Sequence, residues 1–272
     1  MRTKAEVLQH FDNLADGGFW AGLYERGGDA VTKYSFVARQ ALVEGMLDSV
    51  IRRGDHVLDV ACGTGVMAPF ILKRDARYSG IDLSQRMIEQ ADLRIDGPAE
   101  FRVGDVYNLP YADAEFDVVL ALGLFEYLDD MESAAREMVA AAKPGGSIIV
   151  SVPNALCLDA LTSKMFSPLV SPVVRLVRWA ERASPKPNRF FHRRFRPGNI
   201  DRVFSSLGCR RAESGLYNVE VACYPLRRLL PMASLRLKKR FERSSGAMAR
   251  IFATACVGRY IKVDVIKGDV GG

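Results

Sequence analysis

His56-Val57-Leu58-Asp59-Val60-Ala61-Cys62-Gly63-Thr64-Gly65 is the stretch whose reading decides the fold. HVLDV is a short apolar run, as expected of a strand of about five residues buried on both faces, and the glycines behind it turn the chain. Glycine at 63 and 65 lets backbone approach a ligand, because any Cβ would occupy that space. VMAPFILKR (66–74) follows, apolar on one side as a helix would be. RYSGIDLS (77–84) then reads as a second strand ending in an acid, and Ser84 is placed to cap the helix SQRMIEQADLRI (84–95).

Working outward, AEFRVGD (99–105), FDVVLALG (116–123) and SIIVSVP (147–153) read as three further strands. MESAAREMVAAA (131–142) is a strong helix by propensity, closed by Lys143-Pro144-Gly145-Gly146. Strands and helices thus alternate from about 55 to 153. Apolar runs such as VVLAL fit strands covered on both sides, and right-handed crossovers make the whole an open doubly wound α/β sheet. Upstream, Leu42, Met46, Leu47 and Val50 mark a helical stretch over 41–51, preceded by an aromatic-rich segment that reads as a short helical cap. After Pro153 the alternation stops and the chain turns apolar and basic. PGNIDRVFSSLGC (197–209) reads as a helix ending at Gly208, and RYIKVDVIK (259–267) as a strand. The expected organisation is a helical cap at 1–40, a core at 41–154, a helical lid insertion at 155–197 and a C-terminal part of the core at 198–272.

The 272 residues are 49% hydrophobic and 26% charged, ample for a sizeable core. The five cysteines are scattered and odd in number, without C-x-x-C spacing, as expected of free thiols in a reducing cytosol. The start of the chain carries no apolar core of a secretory signal, and no uncharged apolar run reaches membrane-spanning length. These features predict a cytoplasmic protein, soluble or peripheral to a membrane. Charge is unevenly divided: residues 164–262 hold 22 Lys/Arg against 5 Asp/Glu, while the remainder carries a net −11. So lopsided a field bears on partners.

Three acids fall at the carboxyl ends of neighbouring strands, where open α/β sheets bind their ligands. Asp59 precedes the glycines, Asp82 could accept both hydroxyls of a ribose, and Asp105 in GDVYNLP is placed to accept from an adenine amino group. Acids at strand ends also serve as turn formers. Gly63-Thr64-Gly65-Val66-Met67-Ala68 matches the G-x-G-x-x-A of dinucleotide oxidoreductases as well, which keeps an NAD(P) enzyme as a remote alternative. Asp59 weighs against it, since a carboxylate there repels pyrophosphate and attracts the α-ammonium of an amino acid.

VLDVACGTG, GIDLSQRMIEQA, GDVYNLPYADAEFDVVLALGLFEYL and AAKPGGSIIVSVPN together resemble the successive motifs of class I S-adenosylmethionine-dependent methyltransferases, covering about 55–154. The resemblance implies a Rossmann-like sheet of seven strands, the last antiparallel, and S-adenosylmethionine as donor with no metal. It implies that Ala61 and Gly63, in the turn with Gly65, line the methionine moiety. It also places Asp82 with Leu83 on the ribose, Asp105 with Val106 on the adenine, Met87 packed on the adenine, and the Leu122 backbone at the amino-acid end. An aromatic from the N-terminal cap is expected to close over the cofactor; Tyr24 is the candidate, with a core aromatic as its other reading.

Methyl transfer from a sulfonium is an in-line displacement, so the protein's main task is alignment, and a base matters only when the acceptor carries a proton. Tyr127 stands where the family frequently has His after Glu; it is a base candidate, or else a packing and orienting side chain. His192 in FFHRRF is the other candidate, with a solvated or anion-binding role as its alternative. The basic half offers two readings. LCLDALTSKMFSPLVSPVVRLVRWAE (156–181) and LRRLLPMASLRLKKRFER (226–243) mix arginines with bulky apolar residues, which suits an anionic membrane surface or a lipid-like acceptor. A lid and a terminal helix packed on the sheet is the plainer reading. Nucleic acid is disfavoured, since no separate RNA-binding module is present and the arginines and lysines are mixed chiefly with Leu and Val. The expected reaction is methylation of a small or lipophilic metabolite at oxygen, with N- or C-methylation of a natural product or lipid-like molecule as the alternative.

Overall fold

The computed structural model describes residues 3–16, 30–166, 168, 193–223, 231–241 and 246–263. Two helices, α1 (Lys4–Asp16) and α2 (Ala30–Asp48), precede the first strand. The chain then alternates through β1 (His56–Val60), α3 (Ala68–Leu72), β2 (Arg77–Asp82), α4 (Gln85–Arg94) and β3 (Ala99–Val103). β4 (Phe116–Leu122) leads through a short 3-10 turn at Phe125–Tyr127 to α5 (Met131–Ala141) and β5 (Ala142–Pro153). The last part comprises α6 (Pro197–Ser206), β6 (Cys209–Val219), α7 (Pro231–Phe241), α8 (Ala247–Phe252) and β7 (Ala253–Lys262).

These strands form one seven-stranded sheet in the order β3-β2-β1-β4-β5-β7-β6. β7 runs antiparallel to both of its neighbours, and the pairings among β1 to β5 are parallel. The unbroken apolar strands follow from cover on both faces, because successive side chains point to opposite sides. On one side Leu58, Val60, Val119, Ile148 and Val150 pack with Ala134, Ala135 and Met138 of α5 and with Phe204 of α6. On the other, Val57, Val118, Leu120 and Ile149 pack with Val43, Met46 and Leu47 of α2 and Ile71 of α3. Helix starts are chemically marked. Ser84 Oγ accepts from the Met87 amide at 3.2 Å, as its N-cap position predicts, and Asp130 Oδ1 accepts from the amides of Glu132 and Ser133 at 3.0 Å each.

The structure departs from the sequence reading in several places. α2 runs unbroken across residue 40, where the cap was expected to end. Lys143–Gly146 belong to β5 rather than lying ahead of it: pairing passes from Phe116–Ala142 to Val118–Ser147, so Asp117 alone faces these four residues. Lys143 Nζ anchors this bulge on Asp117 at 2.7 and 2.8 Å. β7 begins at Ala253, six residues before the expected Arg259, because residues 253–257 pair with β6 from Ala253 and with β5 from Ala255 while giving no alternating signal. In α7 the buried face is Ser234, Leu235 and Lys238, whereas Ala233 and Leu237, expected on an apolar stripe, lie outward. Leu226 and Leu230 of that stripe, and Arg175, Arg178 and Arg182, lie outside the described residues.

Candidate functional site

The strand order reverses between β1 and β4, and there the carboxyl ends of the strands open on a crevice of about 270 Å³. Asp59, Ala61, Gly63, Asp82, Leu83, Met87, Asp105, Val106, Leu122 and Tyr127 all line it. Gly65 does not. It lies behind the turn with φ +69°, and a Cβ there would meet the Phe101 ring at 2.8 Å, so its role is close packing of the turn on β3. A Cβ added at Gly63, by contrast, would meet nothing within 4 Å; the backbone there faces open space. Ala61 holds φ +59°, an uncommon conformation for a residue with a side chain and one found at ligand clamps. Tyr24 and His192 lie outside the described residues.

Each carboxylate is held differently. Asp59 is buried and accepts from the Tyr78 hydroxyl at 2.8 Å, and burial raises its carboxyl to about 7 despite that bond and the nearby Arg39 guanidinium. Asp82 accepts from the amides of Gly63 and Ser84, both at 2.9 Å, which locks the glycine turn to the end of β2. Burial still pushes the Asp82 carboxyl upward, against those amides. Asp105 is more open: Lys4 Nζ of α1 reaches its Oδ2 at 2.5 Å and the Tyr107 amide its Oδ1 at 3.1 Å. A buried and a half-buried acid aimed into one cavity is a costly arrangement unless a cationic or polyhydroxylated ligand answers them. A nucleoside carrying an amino-acid arm supplies both, so the residues present fit S-adenosylmethionine.

α1 roofs the crevice. Ser84 Oγ meets Asp12 Oδ1 at 2.5 Å, Gln90 Nε2 donates to the Ala15 carbonyl at 2.8 Å, and Phe11 meets Tyr127 edge to face with centroids 5.1 Å apart. Burial, then the adjacent Glu126, push the Tyr127 phenol upward, so it stays protonated at neutral pH and suits donating or packing better than proton removal.

Several lining residues escaped the sequence reading: Phe11, Phe36, Arg39 and Glu126. Arg39 Nη1 donates to the Leu122 carbonyl at 3.3 Å. Glu126 Oε2 is sealed from solvent and has no hydrogen-bond partner among the described residues; burial lifts this carboxyl to about 7. A lone acid within the apolar ALGLFEYL was the available signal. Beyond it lies a second cavity of about 370 Å³, sharing Phe36, Arg39 and Glu126 with the first. Charged groups line it in pairs. Lys238 Nζ lies 3.7 Å from Glu220 and 3.2 Å from Ser35 Oγ, and Arg194 lies 3.5 Å from Asp159. Among the described residues no cluster of three or more His, Cys, Asp or Glu is placed to hold a metal, and no helix is long and apolar enough to cross a membrane.

Known proteins resemble this chain in sequence and in fold. Norajmaline N-methyltransferase of Rauvolfia serpentina is 29% identical over 165 residues, 53% of this chain and 56% of that protein. The 27-O-demethylrifamycin SV methyltransferase of Amycolatopsis mediterranei is 33% identical over 126 residues, 43% and 46% of the two chains. The chain thus spans about half the length of the curated relatives it matches. Magnesium protoporphyrin IX methyltransferase from Synechocystis, solved with bound S-adenosylhomocysteine, shares the fold at a TM-score of 0.64 and 17% identity. That likeness covers 96% of this chain and all of the other. Residues 58–150 match the family model described as a methyltransferase domain. Residues 58–150 thus form a methyltransferase domain, and the strand order and motifs around it resemble those of the class I S-adenosylmethionine-dependent methyltransferases.

Proposed function

We propose that this protein transfers a methyl group from S-adenosylmethionine to a heteroatom of a small-molecule acceptor. The observation that carries the reading is the set of Asp59, Asp82 and Asp105 at three neighbouring strand tips around the open face of Gly63. In this reading Asp59 receives the donor's α-ammonium, with Ala61 and Gly63 along the methionine arm and the Leu122 backbone at its end. Asp82 and Leu83 take the ribose hydroxyls, and Asp105 and Val106 the adenine, with Met87 packed on the ring. Binding at Asp105 displaces or shares Lys4, a half-exposed pair whose loss costs about 0–1 kcal/mol. Tyr24 and His192 keep their roles as candidates for cofactor cover and base.

When bound, the sulfonium supplies an activated methyl group. The chain's own contribution is alignment: Phe11, Phe36 and Tyr127 wall the crevice, exclude water and hold the reacting groups in line, worth about 7–11 kcal/mol in well-oriented systems. The matched relatives act on nitrogen in one case and on oxygen in the other by their names. The oxygen expected from sequence rests on family frequency alone. A lipid-like acceptor, or contact with an anionic membrane, is supported by the exposed Met232 and Leu237 beside Arg236, Lys239 and Arg240.

Isothermal titration tests the donor assignment. S-adenosylhomocysteine should bind with a Kd of about micromolar or below, and NAD(P) should not bind. Binding of NAD(P) alone would return the chain to the dinucleotide enzymes.

A further inference from the structure

We propose that Glu126 is the catalytic base of the transfer and that the acceptor it serves is an amine seated in the second cavity. The inference rests on the donor reading above. Glu126 stands at the junction, lining both the donor crevice and the cavity beyond it. The other charged side chains of the second cavity answer one another, Lys238 with Glu220 and Arg194 with Asp159. Glu126 is different, because its enclosed Oε2 accepts nothing among the described residues. Arg39, the nearest cation, spends Nη1 on the Leu122 carbonyl. A buried acceptor without a donor is an uncommon arrangement, and an N–H donor arriving from a ligand across the junction would complete it.

The chemistry selects nitrogen over an aliphatic hydroxyl. A carboxylate is far too weak to take a proton from an aliphatic hydroxyl, whose acidity is close to that of water. An ammonium near 10 is within reach, and desolvation in a cavity brings it lower. Burial holds the Glu126 carboxyl near 7, the range in which a base both exists ionised and accepts a proton. The groups that face it are Arg39 from α2, the adjoining Tyr127 and Tyr217 from β6; burial pushes both phenols upward, so neither is an anion at neutral pH. In the step, Glu126 takes one ammonium proton and the freed nitrogen lone pair bonds to the methyl carbon as its bond to sulfur breaks. A neutral thioether leaves, the methylated nitrogen carries the positive charge, and Glu126 passes its proton to water that enters as the products depart.

The test uses sinefungin, the donor analogue with C–NH3+ in place of S+–CH3, and S-adenosylhomocysteine as its reference. Both are titrated calorimetrically into wild type and Glu126→Gln at pH 6 and pH 8. In wild type the preference for sinefungin over the reference should grow severalfold, up to about tenfold, from pH 6 to pH 8 as Glu126 ionises. Glu126→Gln should abolish that growth and lower the preference at pH 8 about tenfold. A wild-type preference that is flat with pH, or a variant matching wild type, overturns the proposal. Absence of reference binding to wild type overturns the donor reading itself, and with it the proposal.

Discussion

Asp59→Asn is the most informative substitution in the donor crevice. Burial raises the Asp59 carboxyl from 3.8 to about 7, so about one molecule in ten is charged at pH 6 and about nine in ten at pH 8. A ligand ammonium pairs with the charged form alone. S-adenosylhomocysteine should therefore bind about tenfold tighter at pH 8 than at pH 6, a difference of about 1.4 kcal/mol. The asparagine variant should lose this step. At pH 8 it should also bind about tenfold to a hundredfold more weakly, the range expected for a hydrogen bond to a charged group. Stability without ligand runs the other way. A carboxyl whose folded pKa lies above its unfolded one stabilises the fold at low pH, and that contribution is lost as pH rises from about 4 through about 7. Thermal melts of wild type should fall across that window more steeply than those of Asp59→Asn. Calorimetric titration at the two pH values is the deciding assay. An affinity flat between pH 6 and pH 8, or an equal step in the variant, would refute the reasoning.

Asp82→Ala removes the acceptor of the Gly63 and Ser84 amides along with the ribose contact, and donor binding measured by calorimetry should become undetectable; unchanged affinity would contradict the assignment. Phe204→Ala empties a fully buried site stacked on Tyr260 at 4.5 Å, and denaturant titration should show a loss of about 3–5 kcal/mol. For the outward face of α7, flotation should show binding to anionic vesicles at low ionic strength that weakens as salt rises. No association at low salt would remove that proposal.

What could be read in the sequence was whatever is local. Asp59 lies one residue before the end of β1, Asp82 ends β2 and Asp105 follows β3 by two residues, so strand ends and turn residues sufficed to bring them to one crevice. Ser84 declared itself as a cap for the same reason. Glu126 showed only as a lone acid in an apolar run and Arg39 not at all, because they lie in the 3-10 turn after β4 and in α2 and meet only once the sheet has formed. β6 was hidden by its place at the sheet edge: Arg210, Arg211 and Glu213 are exposed there, and such charges read as loop. The face of α7 was misjudged because Lys238 turns inward to Glu220 while Leu237 turns out, the reverse of what hydropathy alone dictates. Part of the positive charge after residue 164 is answered locally, as in Arg211 with Asp201 and Arg259 with Glu213.

The central claim is that acids at three strand tips embrace a sulfur nucleoside, and a crystal structure with S-adenosylhomocysteine tests it most directly. The nucleoside should lie beside Gly63, with its ribose hydroxyls on Asp82 and its amino group facing Asp59. A crevice left empty at saturating ligand, or a nucleoside bound away from these carboxylates, would contradict it.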